Sequence, residues 1–146
     1  MEFTRTENQT MIAQAVRDLC EREVRPHVMD WDEAQHFPKE LFTDHFGPAG
    51  MLGVFVPEEY GGSGLGYNEY VETVVEVSRI CGSIGLSVAA HNSLCTGHIN
   101  YFGNHDQKKK WLTKLATGEW LGAWALTEPN TGSDAMRMKC TARKEG

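Results

Sequence analysis

Residues 80–105 constrain the fold of this chain more than any other stretch. They contain no Asp, Glu, Lys or Arg, although 23% of the 146 residues are charged. We expect such an uncharged interval to be largely buried, because solvent-facing surfaces are normally rich in charged side chains. Serine, histidine and asparagine interrupt every apolar run of membrane-spanning length within it. The interval therefore predicts the interior of a folded domain and argues against a membrane span.

Helical spacing of apolar residues begins close to the amino terminus. Thr4 and Glu7 form a capping-box pattern ahead of a long first helix. A short second helix fits between Pro38, which suits a helix start, and Gly47, which suits a stop. Residues 67–81 predict a third helix, although part of their valine pattern also alternates as in a strand. The amino-terminal part is therefore predicted to be a helical bundle.

Helical character gives way to strand character near residue 118. A second capping-box pattern starts at Asn104 and predicts a last helix, which Gly118 is placed to stop. Residues 120–126 are apolar on both faces, as in a mostly buried strand, and a second strand is expected around residues 138–142.

This change of periodicity predicts two domains. We expect an all-helical amino-terminal domain over residues 1–117 and the beginning of a β domain over residues 118–146. Two strands alone do not make a stable sheet, and an exposed apolar strand edge pairs readily with another chain. The strand at residues 120–126 is therefore predicted to be covered, either by a second copy in a homo-oligomer or by the rest of a longer protein.

The composition excludes several classes of protein. With a net charge of −6 and no basic stripe, the chain is not suited to bind nucleic acid or an anionic membrane. Its four cysteines lie far apart without a Cys-x-x-Cys pair, which indicates reduced thiols rather than disulfides or a zinc cluster. Acidic residues follow Met1 too closely for a transit peptide. We expect the bacterial cytoplasm as the compartment, with the mature mitochondrial matrix as the alternative.

The strand-like segment runs into a loop rich in hydrogen-bonding groups. Thr127, Thr131 and Ser133 offer hydroxyls, and Gly132 lets the backbone N–H groups approach an anion or a polar ring edge. Such a loop suits a phosphorylated cofactor. On residue chemistry alone, however, an ordinary turn after a strand explains the same residues and is favoured.

The complete loop string resembles a family signature. Ala-Leu-Thr-Glu-Pro-Asn-Thr-Gly-Ser-Asp, ending at Asp134, resembles the flavin loop of the acyl-CoA dehydrogenases. Pro-Glu-Glu-Tyr-Gly-Gly, which begins at Pro57, resembles the turn after that family's second helix. Further stretches at 22–32, 91–94 and 102–112 agree in order and spacing, so the resemblance covers the entire chain.

The resemblance implies a fold and a reaction. The expected fold is mainly α, an orthogonal bundle of about five helices followed by the first strands of a truncated β domain. The expected function is FAD-dependent α,β-dehydrogenation of an acyl-CoA thioester, in fatty-acid or branched-chain oxidation, with electron-transfer flavoprotein as the acceptor. The base in most of the family is a glutamate far toward the carboxyl end. No catalytic residue is therefore expected in this chain, which alone is predicted to be inactive.

The resemblance also assigns binding residues. The residues expected at the flavin are Trp124, Ala125, Leu126, Thr127, Glu128, Gly132 and Ser133. Among them, the Leu126 backbone and Thr127 are expected near the ring, with Gly132 and Ser133 near the pyrophosphate. The residues expected at the acyl-CoA substrate are Ala90, His91, Asn92 and again Ser133.

Other functions stay open at this point. One is a non-catalytic helical interaction module that keeps the loop only as structure, and bound flavin would separate it from the enzyme. Another is a flavin-dependent acyl-CoA oxidase or monooxygenase of the same superfamily. His91, His98 and His105 recur every seven residues, as in a row of metal ligands, but glycines interrupt the row and no carboxylate or thiolate accompanies it. We expect no metal site.

Overall fold

The computed structural model describes residues 4–145. Its α-helices are α1 (Glu7–Glu23), α2 (Val28–Glu33), α3 (Tyr67–Ile80), α4 (Gly82–Ala89), α5 (Gly97–Phe102) and α6 (His105–Ala116). Two π-helical segments, Leu41–Phe46 and Ala90–Thr96, and three 3₁₀ turns, Arg25–His27, Glu58–Tyr60 and Ala135–Arg137, complete the helical structure. This content confirms the mainly α fold. No helix among the described residues is long and apolar enough to cross a membrane.

Side-chain caps define where α1 and α6 begin. Asn104 and Gln107 form the predicted reciprocal cap of α6, with two hydrogen bonds of 2.9 Å. At α1 the cap is Thr6 with Gln9, so the prediction of Thr4 is wrong by two residues. Gln9 also donates to the Glu69 carboxylate on α3, at 3.1 Å. Only a cap at Thr6 lets Gln9 contact another helix. This contact between helices therefore decides between Thr4 and Thr6, whose local patterns are similar.

The core lies between α1, α3, α4 and the helical segment after residue 38. The helix predicted between Pro38 and Gly47 is present, and its π-helical part buries two phenylalanine rings, Phe42 and Phe46. The third predicted helix is also present as α3, so the alternating valine pattern there does not indicate a strand. The main buried cluster comprises Val16, Cys20, Val24, Leu41, Phe42, Phe46, Met51, Leu52, Val77, Ile84 and Val88.

The uncharged interval forms one continuous helical rod, made of α4, the π-helical segment Ala90–Thr96 and α5. Only one side of the rod is buried. The other side exposes Leu86 and Phe102, at 71% and 82% of their surface. The prediction that the interval is largely buried is therefore right for one side alone, because the described residues supply packing elements on that side only.

The residues after α6 do not form the predicted strands. Among the described residues from 118 onward, the backbone makes a single β-bridge, between Glu128 and Thr131. Trp120 and Trp124 are 43% and 40% exposed, so the expected burial of this segment is wrong for the chain by itself. A strand needs a hydrogen-bonded neighbour, and none of the described residues supplies one.

Candidate functional site

His91 lies where the helical rod meets the segment that leads to the loop. Its ring is 2% exposed. Nε2 lies 3.0 Å from the Leu52 carbonyl oxygen and 3.1 Å from that of Leu115, while Nδ1 accepts the Gly122 N–H at 2.9 Å. Burial lowers the pKa of His91, against the raising effect of these two carbonyls. The imidazole is therefore neutral, with its proton on Nε2, where it donates to both carbonyls.

Asn92 is buried beside His91 and faces into the helical domain. Its Nδ2 donates to the carbonyl oxygens of Met51, at 2.9 Å, and Val88, at 3.1 Å. Its Oδ1 accepts the Val54 N–H at 3.3 Å. These bonds occupy both ends of the amide, so Asn92 fastens the rod to the turn before Pro57. A contact between Asn92 and a substrate stays a prediction.

The rod and the segment before the loop both line an open cavity of about 480 Å³. Apolar side chains dominate its lining, to which no Asp, Glu, Lys or Arg in the described part of the chain contributes. The lining residues are Phe37, Phe42, Leu86, Ser87, Ala90, His91, Leu94, Leu121, Gly122, Ala123 and Trp124. The cavity thus brings together Ala90 and His91, expected at a substrate, and Trp124, expected at a cofactor.

Trp124 is held by an aromatic contact to the rod. Its ring centroid lies 4.2 Å from that of His98, with the two planes tilted by 41°. The side chain is nevertheless 40% exposed. Ala125 is exposed and Leu126 is half-buried. One face of the indole is therefore fixed while the segment stays accessible from the other side.

Glu128 closes the loop that follows. Its backbone N–H donates to the Thr131 carbonyl oxygen at 2.8 Å, and the Thr131 N–H returns a bond of 3.2 Å. The Glu128 carboxylate accepts the N–H groups of Lys139 and Cys140, at 2.8 and 3.0 Å. Glu128 therefore ties the two ends of the loop together, and this bracing role is not visible in the sequence.

The remaining loop residues leave small polar groups at the surface. Thr127 and Ser133 are exposed. A Cβ added at Gly132 would meet only Thr127, with its nearest atoms at 3.7 Å, which is ordinary van der Waals contact. Packing within the described residues therefore does not require glycine at this position, so its small size leaves space open beside the loop.

Comparison with known proteins identifies the family. A profile described as acyl-CoA dehydrogenase, N-terminal domain, matches residues 6–119. The chain belongs to the acyl-CoA dehydrogenase family. The short-chain specific acyl-CoA dehydrogenase of Clostridium acetobutylicum is 41% identical over 146 residues, which are 100% of this chain and 38% of that protein. The mitochondrial isovaleryl-CoA dehydrogenase of Bos taurus is 42% identical over 142 residues, which are 96% of this chain and 33% of that protein.

A solved relative carries a cofactor. The acyl-CoA dehydrogenase of Bacillus anthracis, complexed with FAD, superposes with a TM-score of 0.84 and 39% sequence identity, over 92% of this chain and 23% of that one. The chain spans about a third of the length of the curated relatives it matches. The similarity therefore concerns only one part of each relative's fold.

The sequence analysis missed several residues that line the cavity. Leu86 and Leu94 lie four residues on either side of Ala90, a spacing that could have placed all three on one helical face. Phe37 lies far away in sequence, and no local signal points to it. The histidine row takes three separate roles, since His91 is buried, His98 contacts Trp124, and His105 lies 3.2 Å from the Tyr60 hydroxyl. Among residues 4–145, no group of three potential ligands could hold a metal ion.

Proposed function

We propose that this chain is the amino-terminal portion of an FAD-dependent acyl-CoA dehydrogenase. In this proposal residues 1–117 are its helical domain and residues 118–146 begin its middle β domain. One observation carries the proposal, namely the apolar cavity of about 480 Å³ that Ala90, His91 and Trp124 line together. The match of residues 6–119 to the family profile and the FAD-containing relative support the same function.

The proposed substrate is an acyl-CoA thioester whose acyl chain enters the cavity. Ala90 and Leu94 would cover it from the rod, and Leu121 from the segment before the loop. Each methylene that leaves water contributes about 0.8 kcal/mol to binding, so an uncharged lining suits an alkyl chain. The two curated relatives act, by their names, on short-chain and isovaleryl thioesters. We accordingly propose a short straight or branched acyl group.

The loop residues fit a flavin on the chemistry of their side chains. Thr127 and Ser133 carry exposed hydroxyls, and Gly132 leaves room for a close backbone approach. Glu128 would act indirectly, because its carboxylate already braces the loop. Trp124, Ala125 and Leu126 would supply the wall beside the ring. When bound, FAD would supply the hydride acceptor for α,β-dehydrogenation, while these residues place it and exclude water.

The proton-abstracting base is proposed to lie outside this chain. No carboxylate of the described residues 4–145 lines the cavity, and the lining histidine, His91, is buried with both ring nitrogens already bound. The 146-residue chain alone is therefore expected to show no dehydrogenase activity. As further parts of the proposal, electron-transfer flavoprotein takes the electrons, the whole protein is a homo-oligomer, and it works in the bacterial cytoplasm or the mitochondrial matrix.

A chimera tests the proposal. Residues 1–146 replace the matching segment of the Clostridium acetobutylicum enzyme, with the intact enzyme as the control. We expect a yellow chimera whose flavin absorbance bleaches on addition of a short acyl-CoA. A helical chimera that binds no FAD, beside a yellow control, would favour the non-catalytic module. Flavin that is bound but not reduced by acyl-CoA would favour a different reaction of the superfamily.

A further inference from the structure

Three residues on one side of the helical rod form a seat for the segment before the loop. They are His91, Cys95 and His98, which all face residues 122–124. His91 accepts the Gly122 N–H at 2.9 Å, and the His98 ring lies 4.2 Å from that of Trp124. The seat therefore holds the segment in register at two points that are two residues apart.

Gly122 has to be glycine for this contact to form. A Cβ at this position would lie 2.6 Å from Cys95 Sγ and 2.7 Å from Cys95 Cβ, well inside van der Waals distance. It would also approach His91 Nδ1 to 3.4 Å. The missing side chain lets the backbone come close enough to donate its N–H to the imidazole.

We propose that His91 is a positioning residue for the flavin loop, acting through its hydrogen bond from Gly122. The inference rests on the proposed function, since it assigns this residue a task in holding the cofactor-binding segment. His91 joins three parts of the chain, because Nε2 donates to Leu52 and Leu115 while Nδ1 accepts from Gly122. The bond to Gly122 thereby fixes where the backbone leaves the helical domain. Gly122 lies two residues before Trp124 and five before Thr127.

Two substitutions test the two ring nitrogens of His91 separately. The amide oxygen of Asn can take the place of Nδ1, so His91→Asn keeps an acceptor for Gly122 and loses the donor. The longer Gln places its NH₂ near Nε2, so His91→Gln keeps donors for the two carbonyls and loses the acceptor. Glu76→Gln is the matched control, since Glu76 is also a buried polar residue but lies on α3, away from the seat.

The first measurement uses the 146-residue chain and follows amide hydrogen exchange at Gly122 by NMR. We expect exchange at Gly122 to rise at least about tenfold in His91→Gln and to stay within about threefold of the wild type in His91→Asn. Nitrogen shifts of His91 report the Nε2–H tautomer in the wild type. Unchanged protection in His91→Gln, or an equal loss in Glu76→Gln, would overturn the positioning role.

The second measurement uses the chimera with the Clostridium acetobutylicum enzyme and titrates FAD into the flavin-free protein. Loss of one hydrogen bond should weaken FAD affinity about threefold to tenfold in His91→Gln. The His91→Asn variant should retain most of the affinity. A chimera with native His91 that binds no FAD would refute the proposed function. Equal FAD affinity in the chimera and its His91→Gln variant, with Gly122 protection lost, would overturn only the role of His91.

Discussion

The two sides of the helical domain are built in opposite ways. Between α1 and α3, the fully buried Glu76 carboxylate meets the Arg17 guanidinium in two hydrogen bonds, of 2.9 and 3.0 Å. Arg79 and Arg5 add further positive charge at 3.5 and 3.8 Å. The outer side of the rod has no charge and leaves Leu86 and Phe102 exposed. The charged side finds its partners within the described residues, whereas the uncharged side leaves apolar side chains exposed.

Substitutions at the interface between α1 and α3 should mainly change stability, whereas substitutions on the exposed apolar side should mainly change binding. A buried carboxylate is tolerated only when charged partners satisfy it, so the interface between α1 and α3 is sensitive to any change in its groups. A substitution on an exposed apolar surface changes the stability of the isolated chain little. It affects binding when a ligand or partner covers that surface. Substitutions on the two sides should therefore affect different measurements.

Among substitutions of charged residues, Glu76→Ala is expected to have the largest effect on stability. It removes two charge-assisted hydrogen bonds and leaves a cavity, and should lower the free energy of unfolding by about 3 kcal/mol. Glu21→Ala is the matched control, because Glu21 also forms a two-bonded pair, with Arg25, but on the exposed face of α1. Urea unfolding compares the two variants, and equal midpoints would break the contrast between the sides.

The pH dependence of unfolding should show two windows, one from the ion pair between α1 and α3 and one from the buried His91. Hydrogen bonds from Arg17 hold the pKa of Glu76 below its ordinary value of about 4.5, so its contribution is present above that value and lost as pH falls through the native pKa. Burial lowers the pKa of His91 from about 6.5. Protonation therefore favours the unfolded chain, and stability declines as pH falls below about 6.5.

Variants assign the two windows. His91→Gln should remove the decline that begins near pH 6.5, and Glu76→Gln should flatten the one below about pH 4.5. Urea midpoints measured at about five pH values between pH 7 and pH 3 are sufficient for the comparison. A decline near pH 6.5 that persists in His91→Gln would mean that another histidine causes it.

Ser133→Ala should affect binding and leave stability unchanged. Ser133 is exposed in the loop, so its removal should not move the urea midpoint of the 146-residue chain. In the chimera, loss of a hydrogen bond to a charged group should weaken FAD binding by about 1–3 kcal/mol. Titration with FAD measures this, and an unchanged affinity would leave the binding to Gly132 and the backbone N–H groups.

Local patterns in the sequence were sufficient for most of the fold. The cap at Asn104 and the limits at Pro38 and Gly47 depend on neighbouring residues, and the structure confirms them. The cap of α1 was misplaced because Thr4 and Thr6 offer the same local pattern, and the contact between Gln9 and Glu69 spans 60 residues. A single sequence carries no direct record of such distant contacts.

The candidate site was harder to predict for the same reason. Motif resemblance assigns Ala90 and His91 to a substrate and Trp124 to a cofactor, and all three line one cavity in the structure. The hydrogen bond between His91 and Gly122 joins residues 31 positions apart, and the bracing by Glu128 reaches residues 11 and 12 positions further on. Lack of charge in the rod indicated apolar surroundings, but not whether the same chain supplies them.

Phe102→Ser should have little effect on stability and tests whether the open side already packs within the chain. The ring is 82% exposed, so its replacement should change the free energy of unfolding by less than about 0.5 kcal/mol. Phe42→Ala, at a ring that is 1% exposed, should cost about 3–5 kcal/mol. If the open side is normally covered, Phe102→Ser should reduce binding of a hydrophobic dye and self-association, measured by light scattering. A large loss of stability in Phe102→Ser would mean that the ring already packs within the chain, and the contrast between the two sides would not hold.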